Sequence, residues 1–364
     1  MKKLVSTRQL IFILIISLMA LKFLYLPSLL AKEFANTSFI FVFIMLVLDF
    51  LVFLILLYLY NKNPNLSFFD LLKKIFGSVI ARVIMFLLFI FFFLKCWGIF
   101  QTNFSYLNEN LYTSLKWYVF SVPILITVFF IAKFGVNSYA RAVEFLLPII
   151  FIGFVISLCV GINRADFSNL LPLTNFNFGA KLGGIFKYSY WFGDYLIFIV
   201  FFGNVKEDKN FNKKVSITFI VSIFVVTLFV AVSYAVFSYN AVSHTNAISD
   251  IIHVLPSTSD IGSFDWVLIL IWDMNLFLYF ALNCLGAFYS FRQAFFKKWQ
   301  GAVIFGILFL VFILSLLSNF DIIFAINLAK NYFWYFCIPI QYGLPVLLLI
   351  FSYKVKRRKA NEIG

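Results

Sequence analysis

MKKLVSTRQLIFILIISLMALKFLYLPSLL, residues 1–30, decides how the rest of the chain is read. Lys2, Lys3 and Arg8 precede an apolar run too long for the core of a signal peptide. The run also contains Lys22 and lacks a small-residue cleavage site. It is therefore expected to remain as a first transmembrane helix, with its basic start retained in the cytoplasm. The alternation continues outward from there. Ten apolar stretches are separated by connectors that are in turn basic and poor in basic residues. The basic set carries Lys62, Lys73, Lys74 and Arg82, then Lys133 and Arg141, then Lys206, Lys209, Lys213 and Lys214. Arg292, Lys297 and Lys298 follow, and the tail ends with Lys354, Lys356, Arg357, Arg358 and Lys359. The intervening connectors hold only Lys32, Lys116, Arg164, Lys181 and Lys330. This sorting predicts ten spans with both termini cytoplasmic.

The totals exclude the other broad classes. At 12% charged residues and 63% hydrophobic ones, the chain falls far below the roughly 25% charge of a soluble globule. A net charge of +14 suggests nucleic acid only until its placement is read. The basic residues flank apolar spans on one face, where anionic lipid headgroups meet them. No nucleic-acid partner is expected. Cys96, Cys159, Cys284 and Cys337 all lie in apolar segments without paired spacing. They read as small buried hydrophobes, not disulfides or metal ligands.

The spans are expected near 8–30, 37–60, 80–107, 117–133, 141–162, 181–205, 214–239, 264–290, 300–320 and 332–353. Each can cross about 30 Å of hydrocarbon as a helix, the only open-chain form that satisfies its own backbone there. The fold class is thus all-α integral membrane, one domain over 1–364. Ten divides into five and five, and an odd number per half requires inverted repeats. Repeat 1 would cover about 8–162, repeat 2 about 181–353, and a basic tail 354–364. The connector 240–263 has no Lys or Arg, and Ile248, Ile251, Ile252 and Leu255 give it a short amphipathic helix. Such a helix could cover an external vestibule; a plain solvated loop fits the same residues.

Six ionisable side chains fall inside spans: Lys22, Asp49, Lys95, Lys187, Asp194 and Asp273. Each would cost about 2.5–3.5 kcal/mol unpaired at the bilayer centre. Lys187 is close enough to the outer surface to snorkel. The inverted scheme sets helix 1 against helix 6 and helix 3 against helix 8. It then pairs Lys22 with Asp194 and Lys95 with Asp273, one base and one acid in each. Static ion pairs fixing helix packing are one reading. The other is a ligand or proton site that holds the carboxylate and ammonium of an amino acid. Helix breakers favour the second: Leu26-Pro27-Ser28 in the first span, Gly183-Gly184 and the run Ser189 to Gly193-Asp194 in the sixth. Interruptions at matched places in two halves mark a transporter-type site, and freed backbone groups there can bond a ligand. The candidate ligand-binding residues are Lys22, Lys95, Ser189, Gly193, Asp194 and Asp273. Asp49 joins them as a gating or coupling residue. Pro123, Pro148, Pro339 and Pro345 read as ordinary kinks. No nucleophile triad, phosphate loop or metal-spaced cluster is present, so neither catalysis nor a cofactor is expected.

Ser6-Thr7-Arg8-Gln9-Leu10 opening the first span, Leu26-Pro27 closing it and Arg141 to Glu144 and Pro148 in the fifth resemble the spore germination permease family. Leu171-Pro172-Leu173 and Gly193-Asp194 extend the match in order and spacing. The resemblance covers essentially the whole chain. It implies the membrane B subunit of a nutrient germinant receptor, with the inverted five-plus-five fold of the amino acid–polyamine–organocation superfamily. It further implies a small germinant such as an amino acid, an A-type subunit and a lipoprotein C subunit as partners, and the spore inner membrane or cell membrane as location. A proton- or cation-coupled amino acid permease is the alternative. Two departures from the family stand out: Ala20 and Lys22 stand where glycines are common, and Asp194 where glutamate is common. Arg141 and Glu144 share a helix face. They form either a solvated surface pair or part of an inner gate or subunit contact.

Overall fold

The computed structural model describes residues 5–110, 116–172, 183–253, 265–295 and 300–361. Leu255 of the expected vestibule helix lies outside them. From the N-terminus, strand β1 (Val5–Ser6) leads into α1 (Thr7–Met19), a 3₁₀ turn (Ala20–Phe23) and α2 (Tyr25–Phe34). Then come α3 (Ser38–Lys62), α4 (Phe68–Phe76), α5 (Ser78–Asn110), α6 (Trp117–Phe134) and α7 (Val136–Arg164). Two 3₁₀ stretches, Phe186–Trp191 and Asp194–Phe201, precede strand β2 (Val205–Lys206). The remainder is α8 (Phe211–Phe237), α9 (Ala247–His253), α10 (Asp265–Ala294), α11 (Gln300–Leu317), α12 (Ile322–Leu328), α13 (Trp334–Ile338) and α14 (Leu344–Asn361). Two π turns, Ala329–Phe333 and Pro339–Gly343, join the last three.

Among the described residues, seven helical runs are long and apolar enough to cross a membrane, and Tyr118–Phe134 is a shorter apolar one. The protein is an all-α integral membrane protein. Large apolar side chains such as Phe145, Phe151, Phe224 and Phe305 are more than half exposed. In water such a surface would drive association; in hydrocarbon it is an ordinary solvent face.

The stretches expected as the first and sixth spans are both interrupted, and the interruptions are buried at the centre. In the first, the break falls at 20–24, upstream of the expected Leu26-Pro27-Ser28. Proline lacks an N–H, so an unbroken helix through Pro27 would strand the carbonyl of Phe23 and crowd it with the ring. The chain instead restarts at Tyr25, placing Pro27 third in α2, where no intrahelical N–H bond is needed. In the sixth, Phe192 is extended and Gly193 is left-handed at φ +74, a conformation that only glycine adopts cheaply.

α4 was not anticipated. Nine residues are too few for a span, and Lys73 and Lys74 read as topogenic charges. Ser67 caps it by accepting from the Asp70 amide at 3.2 Å, and Phe68, Leu71 and Leu72 are buried. α9 does form in the connector after α8, with Ile248, Ile251 and Ile252 buried. Lys187 is exposed.

Candidate functional site

The ends of the two interrupted stretches are tied together. β1 and β2 pair in parallel, Val5 with Val205 and Ser6 with Lys206. Ser6 and Gln9 form a capping box on α1. Thr7 donates to the Lys206 carbonyl at 3.3 Å and accepts from the Asp208 amide at 3.2 Å. A hydrogen bond from Lys214 holds the Asp208 carboxyl below the usual carboxylate range. From α7, Glu144 accepts from Gln9 at 2.9 Å and pairs with Arg8. Glu144 thus turns to α1 instead of to Arg141. Arg141 is exposed and has no ion pair among the described residues. Arg8 is 70% exposed, and pairs of this kind contribute about 0–1 kcal/mol. Glu144→Gln, which can still accept from Gln9, is expected to cost less than about 1 kcal/mol on thermal unfolding in nanodiscs.

Deeper in, the interruption at Phe192-Gly193 leaves backbone groups without helical partners, and side chains from three other elements meet them. Lys95 on α5 donates to the Phe192 carbonyl at 2.7 Å. Gln341, in the second π turn, donates to the carbonyls of Ser189 and Phe192, both at 2.9 Å. Asp49 on α3 accepts from the Gly193 amide and from the Tyr342 hydroxyl, each at 2.9 Å. Tyr195 donates to the Gln341 carbonyl at 2.5 Å. The Ser189 hydroxyl is buried without a partner.

Asp194, next in the chain, is the centre of the cluster. Lys22 pairs with one carboxylate oxygen, and Lys95 and the Tyr279 hydroxyl bond the other. Lys22 reaches it because the 3₁₀ turn after α1 points its side chain inward. Lys22, Lys95, Asp49 and Asp194 are all at most 5% exposed, so two cations balance two anions out of contact with solvent. Fixed pairing of this kind is weak evidence for stability by itself. What it does is hold a broken, polar backbone open in the middle of an apolar protein.

Asp273 does not join them. α5 and α10 lie antiparallel: Tyr106 reaches the Ile269 carbonyl, Asn103 reaches Asp273 at 3.0 Å, and Cys96 faces Cys284. In that register Lys95 sits level with Tyr279 and Cys284. The eight residues to Asn103 put Asp273 about 12 Å farther along. The expected Lys95–Asp273 pair is therefore not formed; Lys95 turns to Asp194.

Beside the cluster is a cleft of about 20 Å³ between the two interrupted stretches, α5, α12 and the first π turn. Leu21, Tyr25, Trp97, Tyr190, Trp191 and Phe333 are among its lining residues. Among the described residues the indole N–H of Trp97 is buried without a hydrogen-bond partner, although buried polar groups are nearly always paired. Gly98 is required here, since a Cβ would lie 1.9 Å from the Tyr190 hydroxyl oxygen. The expected pocket lined by the four charges is thus displaced: the charges bond one another, and the open space is aromatic and one turn away.

The sequence reading passed over Tyr279, Gln341, Tyr342, Tyr25 and Trp97. Gln341 did carry a signal, being a polar residue between Pro339 and Pro345 in an apolar stretch. Pro339 opens the π turn that delivers Gln341 and Tyr342, so it is more than an ordinary kink. The tyrosines and tryptophan are too common in apolar spans to stand out.

No curated protein matches the chain. A family model described as spore germination protein matches residues 4–321. That match takes in both interrupted stretches and every residue of the charge cluster except those on the second π turn. The chain belongs to the spore germination permease family, a membrane permease and receptor type and not an enzyme class.

Proposed function

We propose that this protein is the membrane subunit of a spore nutrient receptor and binds a small germinant, an amino acid by preference, beside the buried charge cluster. The observation that carries this reading is the aromatic cleft with its unpartnered Trp97 N–H, set against two interrupted helical stretches and two ion-paired lysines. An amino acid offers both a carboxylate and an ammonium. Lys22 and Lys95 would receive the first, Asp194 and the backbone carbonyls of Ser189 and Phe192 the second. Asp273 and its partner Asn103 would line the approach. The cleft holds about one water molecule, so the germinant must select a more open conformation. A ligand shifts such an equilibrium only by its differential affinity for the two states. That shift would reach an A-type subunit and a lipoprotein C subunit, with the Arg8–Glu144 latch and Arg141 at the contact.

In the same proposal, the ten expected spans form an inverted five-plus-five arrangement with both termini cytoplasmic. The sorting of basic residues supports the orientation, and interruption of the first and sixth spans supports the repeat. A proton-coupled amino acid permease is the second reading. Asp49 favours it, because this buried carboxylate is bonded only to neutral donors among the described residues. Uptake of labelled amino acid into proteoliposomes, abolished when the proton gradient is collapsed, would move the assignment to transport.

Trp97→Phe tests the site. It removes one hydrogen-bond donor from the cleft wall and little volume. A lost bond of about 0.5–1.5 kcal/mol corresponds to a rise of roughly twofold to tenfold in the germinant concentration for half response. An unchanged dose–response curve in spores carrying the variant would remove the cleft from the proposal.

A further inference from the structure

On the far side of the first interruption, α1, α7, α8 and α10 enclose a groove of about 230 Å³. Met19, Phe23, Phe154 and Val221 line it, and the deeply buried Trp272 and Asn275 lie at its base. The rim is apolar and lies in the middle of long helices: Phe151 on α7 is 60% exposed and Val221 on α8 is 51% exposed. The groove therefore opens toward the hydrocarbon of the bilayer. No charged residue lines it. Thr218 and Ser222 lie on its wall, but their hydroxyls bond back to their own helix at 2.9 Å.

The floor is different. Asn275 is 2% exposed, and its carboxamide has no hydrogen bond among the described residues. Trp272 is 1% exposed, and its indole N–H is buried without a partner. The carboxamide of Asn275 thus lies unpaired at the base of an apolar recess, where such groups normally have partners. The volume is below the roughly 300–1,000 Å³ of drug-sized sites, so it fits a compact molecule with a single polar head.

We propose that this groove is a second ligand site, entered from the bilayer, for a compact neutral amphiphile with an apolar body and a hydrogen-bond-accepting carbonyl head. The carbonyl takes an N–H of the Asn275 carboxamide, and the body packs against Met19, Phe23 and Phe154. Phe23 belongs to the same 3₁₀ turn as Lys22. It stacks on Phe154 at 4.9 Å and meets Phe229 and Trp272 edge-on at 4.6 and 5.5 Å. An occupant touches the turn that delivers Lys22 to Asp194, so its binding is linked to any rearrangement of that turn, and the linkage is reciprocal.

Benzophenone is a suitable probe, being a neutral aryl ketone that photolabels C–H bonds within reach. In lipid nanodiscs, its adducts are expected to concentrate on Met19 and the neighbouring groove residues and to be displaced by phenyl benzoate. The groove between α6 and α11, lined by Leu125, Phe129, Leu308 and Phe309 without a polar floor, reports non-specific partitioning in the same sample. Asn275→Leu keeps the volume and removes the amide. It is expected to lower groove labelling at least about fivefold, the equivalent of one hydrogen bond, and to leave labelling between α6 and α11 unchanged. Val221→Trp blocks the rim from an exposed position, disturbs no buried group, and is expected to give the same loss. A hydrocarbon diazirine without a polar head should label wild type and Asn275→Leu alike. Equal benzophenone labelling of both grooves, or labelling that survives both substitutions, overturns the proposal.

Discussion

Asp194→Asn is expected to abolish the proposed nutrient response and to lower stability by about 3–5 kcal/mol, the usual consequence of breaking a buried ion pair from one side. The neutral amide can still accept from Tyr279, yet Lys22 and Lys95 would then face each other with only Asp49 to balance them. Both ammonium groups are at most 1% exposed, too deep for their stems to carry the charge to water. Germination of spores carrying the variant measures the first effect, and thermal unfolding in nanodiscs measures the second. Adding Lys22→Met separates them. The double variant leaves Lys95 opposite Asp49, one charge each, and is expected to regain most of the stability while the response stays lost. If Asp194→Asn unfolds like wild type, the cluster is not holding the interruption. If the double variant responds normally, the charges have no part in sensing.

That the three residues Lys22, Lys95 and Asp194 meet follows from a cost readable in the sequence. A charge in hydrocarbon must find a partner, and few were available. The break at Gly193 was readable for a similar reason, since Gly193-Asp194 interrupts an otherwise apolar stretch. Rotation and register about helix axes are not encoded in hydropathy. Counting from span ends put Asp273 near Lys95, but the antiparallel register of α5 and α10 slides it about 12 Å away. The first interruption was placed on Pro27 because proline marks it, whereas the backbone departs from helix three to seven residues earlier, where the carbonyl that Pro27 cannot serve would lie. The aromatic cleft was hidden altogether. In a chain with 53 phenylalanines, 18 tyrosines and seven tryptophans, Trp97 does not stand out until its polar atom is found without a partner among the described residues.

Gly193→Ala is expected to cost about 2–5 kcal/mol and to silence the proposed nutrient response with every charge still in place. Two costs contribute. Holding an alanine at φ +74 costs about 1–2 kcal/mol, and forcing a methyl into a filled site costs about 1–3 kcal/mol. The added Cβ would lie 2.5 Å from the side chain of Gln341. Gln341 cannot simply withdraw, because it holds the carbonyls of Ser189 and Phe192. If it moves, each carbonyl loses one donor, Phe192 keeping Lys95 and Ser189 keeping the Phe192 amide; if it stays, the chain at 193 must shift and draw its amide from Asp49. A double-mutant cycle with Gln341→Ala distinguishes the two costs. Removing the glutamine relieves the clash but not the strained φ, so the pair should be less destabilised than the sum of the single variants by more than about 1 kcal/mol. Additive losses would mean that Gln341 and Gly193 are energetically independent. The interruption would then be held by Asp49 and Lys95 alone, and the π turn bearing Gln341 would be incidental to it.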